Sequence, residues 1–423
     1  MMLFDQWRQR YSTVGLCFFA VFVCYIDRVN ISIAIIPMAE EYGWGPGMQG
    51  WILSCFYFGY LVTQFLGGWL ADKFGGKIIL AIGVIWWSLF TILTPPAAAL
   101  GLTVLVMTRV LMGMGEGVTF PSIYALYGKW IPTRERARAM ALTNSGIPIG
   151  QVAALVFAPM IAINWGWQWI FYIFGAVGFV WYVLWYFIVA KDPASHPRLT
   201  SVEAEEIAAG LPPTNPDENA KTPIWELFRS KPVWAIIVAH FCNNWSLYVL
   251  LSWLPTFVTQ GLGVDFANSG IVSMVPHLVS FVFLNVAGQV ADRMVQNGMA
   301  VTRVRKICQT IGFGGLSAAL FVVGEVEIAW LAITIMCVGN ALGAFVTGGF
   351  SVNHMDIAPN HAGKLMGITN TFATIPGIIG VTVSGLILET TGSWALVFQV
   401  AGGVTLFGLV FYLVFASGEK HFD

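Results

Sequence analysis

The stretch that decides the fold class is WQWIFYIFGAVGFVWYVLWYFIVA, residues 167–190, which contains no charged residue. A helix that spans the hydrocarbon core of a bilayer needs about 20 predominantly apolar residues, and this stretch is long enough. A second run, residues 101–127, is interrupted by only two charges, Arg109 and Glu116. A transmembrane barrel would instead show alternating segments of about 10 residues. The sequence therefore predicts an all-α, polytopic membrane protein.

Composition excludes the other broad classes. The chain has 423 residues, of which 57% are hydrophobic and only 10% are charged. A soluble domain is about 25% charged, so this chain lacks the residues to cover a soluble surface, and disordered or coiled-coil chains need still more charge. The net charge of -1 offers no basic excess for nucleic acid. The bilayer is the expected surrounding.

Apolar runs separated by polar segments predict twelve transmembrane helices. Their expected ranges are 13–37, 48–70, 78–95, 101–125, 140–163, 167–189, 233–259, 269–290, 305–324, 328–351, 364–388 and 394–416.

The predicted spans form two six-helix halves, residues 1–189 and 233–423, joined by a polar linker at 190–232 that we expect to be cytoplasmic. An internal repeat supports this division, because GWLADKFGGK (68–77) follows the second span and GQVADRM (288–294) follows the eighth. Two related halves around a midplane site are typical of secondary transporters.

The basic residues predict the orientation. With the N-terminus inside, every lysine and arginine except Arg28 and Arg109 falls in a cytoplasmic segment, as the positive-inside rule requires. Both termini are therefore expected in the cytoplasm. The six cysteines show no metal-ligand spacing, so we expect no metal, no cofactor and no disulfide framework.

Four charged residues lie within predicted spans, away from their ends: Asp27 and Arg28 in the first, Arg109 and Glu116 in the fourth. Each costs about 2.5–3.5 kcal/mol at a helix centre on insertion scales, which makes it a functional candidate. Arg109 and Glu116 are two helical turns apart and share a face, whereas the adjacent Asp27 and Arg28 cannot. Because the four charges sum to zero, reciprocal pairing between the two spans is expected to lower the cost of burial.

These residue types suit an anion carrier coupled to protons. Arg28 and Arg109 offer forked donors to a carboxylate or phosphate, so both are predicted to bind substrate. Asp27 and Glu116 are the predicted proton carriers, because an anion that draws an arginine away from a carboxylate favours its protonation. A structural lattice of ion pairs that only fixes helix packing is the alternative.

Uncharged polar residues within the spans are further candidates to line the cavity. Those predicted to contact substrate are Tyr25, Tyr60, Asn243, Asn244, Tyr248 and Asn370. His240 and His277 are interpreted as packing residues. Gly113, Gly115 and Gly117 are expected to allow close helix contact and not to form a phosphate loop, because no strand precedes them.

The repeated segments at 68–77 and 288–294 contain candidate gating residues. Asp72, Gly75 and Asp292 stand beside basic residues in short predicted turns. They form either a latch that breaks and re-forms as the halves rock, or ordinary turns.

The chain resembles the anion:cation symporter family of the major facilitator superfamily, whose members include sialin, vesicular glutamate carriers, phosphate transporters and bacterial hexuronate and galactonate permeases. The resemblance extends over about residues 12–416. The matching motifs are YIDRVNIS (25–32), QGWIL (49–53), RVLMGMGEGVTFP (109–121), HFCNNW (240–245), NHMDIAP (353–359) and GITNTFA (367–373).

The resemblance implies a two-half carrier, functional as a monomer, in which Arg28 binds the substrate anion and Glu116, with Asp27, couples protons. It implies that Tyr60 and Asn370 line the cavity. The loop at 39–47 is shorter than in animal members of the family and both tails are short, so we expect a cell inner (plasma) membrane location. The predicted function is import of a small organic anion, a sugar acid or similar carboxylate, with protons. A sodium- or proton-coupled phosphate transporter is the alternative, followed by a receptor that does not transport or an anion channel. No hydrolase, zinc-protease, Walker or kinase motif is present, so an enzyme or ATP-driven pump is not expected.

Overall fold

The computed structural model describes residues 8–211, 224–358 and 362–422, and within them every regular element is a helix or a helical turn. The helices of the first part of the chain are α1 (Gln9–Tyr42), α2 (Pro46–Phe74), α3 (Gly76–Ile92), α4 (Thr94–Leu100), α5 (Leu102–Glu116), α6 (Thr119–Trp130), α7 (Thr133–Asn144), α8 (Gly146–Trp165), α9 (Gln168–Ile188), α10 (Ser201–Gly210) and α11 (Ile224–Leu227).

The remaining helices follow a polar segment. They are α12 (Lys231–Thr256), α13 (Phe266–Gln296), α14 (Val301–Val323), α15 (Ala329–Gly343), α16 (Phe350–Ile357), α17 (Ala362–Thr391) and α18 (Trp394–Phe415). A π-helical turn, Phe257–Gly261, extends α12, and a 3₁₀ turn, Ala344–Gly348, joins α15 to α16.

The helices agree with the predicted spans. In the described residues ten helical segments are long and apolar enough to cross a membrane, and α3 with α4, bent by 45°, makes eleven. The remaining predicted span, 48–70, coincides with α2, whose 29 residues are long enough to cross a bilayer. The prediction of an all-α polytopic membrane protein is confirmed.

The chain forms two compact units, whose described residues are 8–31, 55–154 and 161–211 in the first and 32–54, 155–160, 224–358 and 362–422 in the second. The boundary between the units therefore falls within α1, α2 and α8. The proposed halves, 1–189 and 233–423, stay a prediction.

Tryptophans hold α9 in the core of the first unit. The stacked rings of Trp181 and Trp185 have centroids 4.7 Å apart, and both side chains are fully buried. Their indole nitrogens donate to the carbonyl oxygens of Leu16 at 2.8 Å and Lys77 at 3.1 Å. Buried indole N–H groups need such partners. The two hydrogen bonds tie α9 to α1 and α3.

A short helix in the predicted linker caps the start of α1. The Thr200 hydroxyl accepts the backbone N–H of Glu203 at 3.2 Å, so Thr200 is the N-cap of α10. The buried Glu203 carboxylate in turn accepts the backbone N–H groups of Gln9 and Arg10 at 3.0 and 3.1 Å. These N–H groups would otherwise lack partners at a helix N-terminus. The short helix α10 therefore fixes the first turn of α1.

Glycines bring α5 close to its two neighbours. A β-carbon at Gly113 would collide with the carbonyl oxygen of Phe56 on α2, and one at Gly117 would lie 2.7 Å from the carbonyl oxygen of Tyr60. A β-carbon at Gly115 would instead meet the backbone of α3. The expectation of close helix contact is confirmed. Glu116, which ends α5, is thereby held between α2 and α3.

Gly113→Ala is expected to destabilise the protein by about 1–3 kcal/mol, because the new methyl group must displace backbone atoms of α2. Thermal unfolding of the purified protein in detergent measures the effect. Gly128→Ala is the matched control, since a β-carbon there meets no atom within 4 Å. Equal midpoints for the two variants would contradict the proposed close contact.

In the second unit, α12 packs against α17 and α18 through polar contacts. The hydroxyls of Ser246 and Thr405 are 2.7 Å apart, and the indole of Trp253 donates to the Val381 carbonyl at 3.1 Å. These buried pairs satisfy polar groups that apolar surroundings would otherwise leave costly. They fix α12 and α17, the two helices that carry the predicted asparagines.

The segment 46–54 of α2 lies against α17 within this second unit. A β-carbon on Gly50 would come within 3.2 Å of the Cα of Gly385, so the two helices meet backbone to backbone. About one helical turn from these glycines, the Thr382 hydroxyl donates to the Ser54 hydroxyl at 2.8 Å. Small residues at both positions permit this contact.

Candidate functional site

A buried ion pair joins α1 to α5 in the first unit. Nη2 and Nε of Arg28 approach the same oxygen of Glu116, Oε2, at 2.8 and 3.1 Å. The side chains are 5% and 0% exposed. The other carboxylate oxygen, Oε1, is buried and has no hydrogen-bond partner among the described residues. The pairing therefore leaves half of the Glu116 carboxylate unsatisfied.

Aromatic rings surround the guanidinium of this pair. The Arg28 Cζ lies 4.7 Å from the ring centroid of Tyr25, 4.8 Å from that of Tyr60 and 5.2 Å from that of Phe56. Ring faces attract a cation without competing for its N–H donors. The cage of Tyr25, Phe56 and Tyr60 can therefore hold the guanidinium while its hydrogen bonds change partner.

The carboxyl group of Asp27 is buried with no hydrogen-bond partner in the described part of the chain, although the side chain is 0% exposed. The indole of Trp87 interacts with it electrostatically, but its N–H does not reach hydrogen-bond geometry. Both polar side-chain atoms of Asn30 are also buried and unpaired. Such groups are costly in a folded protein and call for a functional explanation.

Arg109 is 1% exposed and does not pair with a carboxylate in the way the sequence indicated. Its Nη1 donates to the Sδ of Met112 at 3.0 Å, and its Cζ lies 5.6 Å from the ring centroid of Phe56. No ion pair between described residues joins it to Asp27. The expected reciprocal pairing thus holds for Arg28 with Glu116 and is wrong for Asp27 with Arg109, because Met112 and Phe56 occupy the space around the guanidinium.

Helix geometry explains the placement of these four charges. Arg109 and Glu116 both lie on the buried side of α5, as their seven-residue spacing predicts. Asp27 and Arg28 point to different neighbours, the first toward Trp87 on α3 and the second toward Glu116. All four lie in the first unit.

The predicted polar residues of α12 cluster in the second unit. Nδ2 of Asn244 donates to the Ala373 carbonyl on α17 at 3.0 Å and to the Tyr248 hydroxyl at 3.4 Å. Nδ2 of Asn243 donates to Oδ1 of Asn244 at 3.2 Å. Asn370, half-buried, lies one turn before Ala373 on α17. The three predicted residues of α12 and Asn370 of α17 therefore occupy neighbouring stretches of the two helices.

Several contacts were not predicted. Cys24 donates its Sγ–H to Oε2 of Glu116 at 3.2 Å, and its four-residue spacing from Arg28 could have indicated a shared face. In the second unit Arg305 forms a forked pair with Asp356 at 2.7 and 3.1 Å. From the sequence, Arg305 was expected only to be one of the basic residues in the cytoplasmic segments.

The contact that His240 and His354 share was also not predicted. The rings of His240 and His354 both contact the hydroxyl of Thr369, at 3.2 and 2.9 Å. His240 was interpreted as a packing residue, and neither His354 nor Thr369 was assigned a role. No spacing in the sequence relates these residues, because they come from different helices.

The candidate gating residues lie apart from both clusters. Asp72 is exposed near the end of α2, and Gly75, with a φ of 94°, precedes α3 as its N-cap in a conformation that favours glycine. Asp292 is exposed near the end of α13, and Gly298, with a φ of 86°, follows that helix. Both copies of the repeat therefore end a helix ahead of a left-handed glycine.

Cysteines and metal-ligating groups are sparse. All six cysteines are free. The described residues contain no group of three or more His, Cys, Asp or Glu side chains that could hold a metal ion.

Known proteins resemble this chain over nearly its full length. The family model described as Major Facilitator Superfamily matches residues 17–381. The "Ascorbate transporter, chloroplastic" of Arabidopsis thaliana is 43% identical over 420 residues, 99% of this chain and 77% of the relative. The "Sodium-dependent phosphate transport protein 1, chloroplastic" of the same plant is 42% identical over 420 residues, 99% and 81%.

An animal relative and a solved structure extend the comparison. "Sialin" of Homo sapiens is 36% identical over 445 residues, 97% of this chain and 90% of the relative. The crystal structure of a D-xylose-proton symporter superposes with a TM-score of 0.76 at 16% identity, over 97% of this chain and 99% of that chain. At that identity the likeness concerns the fold alone.

Proposed function

The chain belongs to the major facilitator superfamily, and from this premise we propose that it is a secondary transporter that moves a small organic anion together with protons. Its family and its relatives are transporters and not enzymes. The proposal includes the two-half arrangement and alternating access that serve such carriers. It also includes function as a monomer in the cell inner membrane with both termini in the cytoplasm.

The observation that carries this proposal is the Arg28–Glu116 ion pair. Removing one partner of a buried ion pair lowers the stability of a protein by several kcal/mol. A pair with a structural role alone is therefore expected to use all of its hydrogen-bonding atoms. Here only one oxygen of Glu116 is used, and the guanidinium rests in an aromatic cage. An incoming carboxylate can therefore take the place of Glu116 as the partner of Arg28.

Exchange of partners couples the anion to a proton. When an anion takes the N–H donors of Arg28, the carboxylate of Glu116 is left buried and unpaired, and it takes up a proton to become neutral. Asp27, buried without a partner, is the proposed second proton carrier. Release of the anion restores the ion pair and expels the proton. Anion and proton therefore bind together or not at all.

Ring faces and amide groups support an organic carboxylate as the substrate. Tyr25 and Tyr60 offer flat apolar surfaces beside the guanidinium, which suit a carbon skeleton. Each unit carries further residues that we propose as substrate contacts. They are Arg109 in the first unit and, in the second, Asn243, Asn244, Tyr248 and Asn370. The names of the ascorbate transporter and of sialin are compatible with this class.

A phosphate carrier is the second candidate. The observation that favours it is the 42% identity to a relative named as a sodium-dependent phosphate transport protein. In that case sodium replaces the proton at Asp27 or Glu116. Asp72, Gly75 and Asp292 are proposed gating residues in either case.

Uptake by the purified protein in liposomes tests the proposal. A panel of radiolabelled sugar acids, ascorbate and phosphate is offered at two external pH values, with and without sodium. We expect carboxylate uptake that increases in acid and ignores sodium. Uptake that requires sodium at a constant pH gradient would favour the phosphate carrier, and no uptake of any anion would favour a receptor.

Tyr60→Leu is expected to raise the apparent KM for the anion about 2- to 30-fold, because loss of one cation–π contact of about 0.5–2 kcal/mol loosens the guanidinium of Arg28. Tyr60→Phe is the matched control, since it keeps the ring face and should change KM less than about twofold. Initial uptake rates over a range of anion concentrations measure the difference. Equal KM values for the two variants would exclude the cage from binding.

A further inference from the structure

Two histidines in the second unit share one hydroxyl group. Nδ1 of His240 on α12 lies 3.2 Å from Oγ1 of Thr369 on α17, and Nε2 of His354 on α16 lies 2.9 Å from the same oxygen. The two ring centroids are 6.3 Å apart. Three helices therefore meet in one hydrogen-bonded chain.

The hydrogen bonds of this group run in a defined direction, from His240 as the donor to His354 as the acceptor. Nδ1 of His354 lies 3.1 Å from the carbonyl oxygen of Ser351, which only accepts, so this nitrogen carries the proton. In the neutral ring Nε2 then accepts, and the Thr369 hydroxyl donates to it. The Thr369 oxygen in turn accepts from Nδ1–H of His240. Each member of the chain has the donor or acceptor that its neighbour requires.

We propose that His240, Thr369 and His354 form a proton-binding relay that holds one proton and passes it between the two rings. A proton arrives at Nε2 of His240, which then gives its Nδ1 proton to Thr369. Thr369 gives its own hydroxyl proton to Nε2 of His354. At the end His354 carries both protons and the charge, and His240 is neutral with its proton on Nε2. No bond other than N–H and O–H forms or breaks.

The surroundings fit such a relay. His240 is half-buried and His354 is 1% exposed, so the proton enters at His240. When a second proton is bound and both rings donate to Thr369, its hydroxyl can turn to the Met366 carbonyl at 3.2 Å. The hydroxyl therefore has a partner in every state of the relay.

Three other ionisable side chains on the neighbouring helices, Arg305, Asp356 and Tyr412, add no net charge to the relay. On α14 and α16, Arg305 and Asp356 neutralise each other in their forked pair. On α18 the hydroxyl of Tyr412 accepts from Nδ2 of Asn353 at 2.8 Å. A proton on the relay is thus an added positive charge in this part of the second unit.

The relay adjoins the predicted cavity residues, and this step rests on the proposed function. His240 and Asn244 are four residues apart on one face of α12, and Asn370 follows Thr369 on α17. A positive charge here attracts an anion bound by these amides. By linkage, the anion then strengthens proton binding by the same factor.

Nitrogen-15 NMR of the purified full-length protein, labelled at histidine and without substrate, tests the relay independently of transport. At high pH we expect Nδ1–H tautomers for both His240 and His354. On acidification both signals should shift in one step that takes up one proton, and a second step should follow more than about one pH unit lower. An Nε2–H tautomer of His354 at high pH would overturn the relay.

Thr369→Val, which removes the hydroxyl at nearly constant volume, separates the relay from two independent histidines. We expect one ring to titrate alone in the first step, and Thr369→Ser to restore the joint step. His277→Gln, a substitution on α13, is the control and should leave the joint step unchanged. A joint step that persists in Thr369→Val would refute the relay. The tautomers of the unsubstituted protein decide the question if the variant does not fold.

Discussion

Replacing Arg28 with lysine is expected to weaken anion uptake about 10- to 150-fold. Lysine keeps the charge but loses the planar fork that holds Glu116 and, in the proposal, the substrate. The loss corresponds to a charged hydrogen bond worth about 1.5–3 kcal/mol. Initial uptake into liposomes with equal amounts of reconstituted protein measures it. Arg28→Ala should abolish uptake, and it also leaves Glu116 buried without a partner.

The matched control is Arg136→Lys. Arg136 also uses two nitrogens, but they donate to the carbonyl oxygens of Ile131 and Gly128 at 3.1 Å, away from the ion pair. Uptake by this variant should stay within about twofold of the unsubstituted protein. If Arg28→Lys transported as well as Arg136→Lys, the guanidinium of Arg28 would not be the anion-binding group.

Replacing Glu116 with glutamine is expected to abolish accumulation of the anion against its gradient and to preserve exchange of anion across the membrane. Glutamine has the shape of the protonated acid and cannot release a proton, so the carrier remains in the form that binds the anion. Two assays in the same liposomes separate these outcomes. One measures uptake driven by an inward proton gradient, and the other measures counterflow against preloaded anion.

The control for this experiment is Glu203→Gln, because Glu203 is a buried glutamate outside the ion pair that accepts backbone N–H groups of α1. Its proton-driven accumulation should persist. Accumulation that survives in Glu116→Gln and fails in Asp27→Asn would move the coupling role from Glu116 to Asp27.

The helical class followed from composition, because a run without charges such as residues 167–190 has few stable alternatives. The helix ends were harder to predict, because α1 and α2 continue to Tyr42 and Phe74, past the apolar runs that indicated spans 13–37 and 48–70. The close packing of α5 at Gly115 and Gly117 depends on neighbouring helices, which no single run of residues displays.

The four charged residues of the spans could be found from the sequence because charge is rare in such segments. Their pairing could not. Which of two adjacent side chains, Asp27 or Arg28, meets Glu116 depends on the rotation of α1, and Met112 takes the place expected for a carboxylate beside Arg109. Periodicity places residues on a face but does not assign partners across helices.

Neutral polar residues were the least predictable. Asn244 could be identified as part of a polar cluster, whereas the relay joins His240 and Thr369 across 129 positions. A histidine in an apolar run has the same local pattern whether it packs or carries a proton. Only the structure brings His354 to the other side of the Thr369 hydroxyl.

Simultaneous recording of anion uptake and internal pH in liposomes shows whether protons move with the anion. Purified protein is given an anion outside, with no sodium and no initial pH gradient. We expect the interior to acidify in step with anion entry, and Glu116→Gln to remove the acidification while exchange continues. Uptake of the anion without any change in internal pH would contradict proton coupling at the Arg28–Glu116 pair.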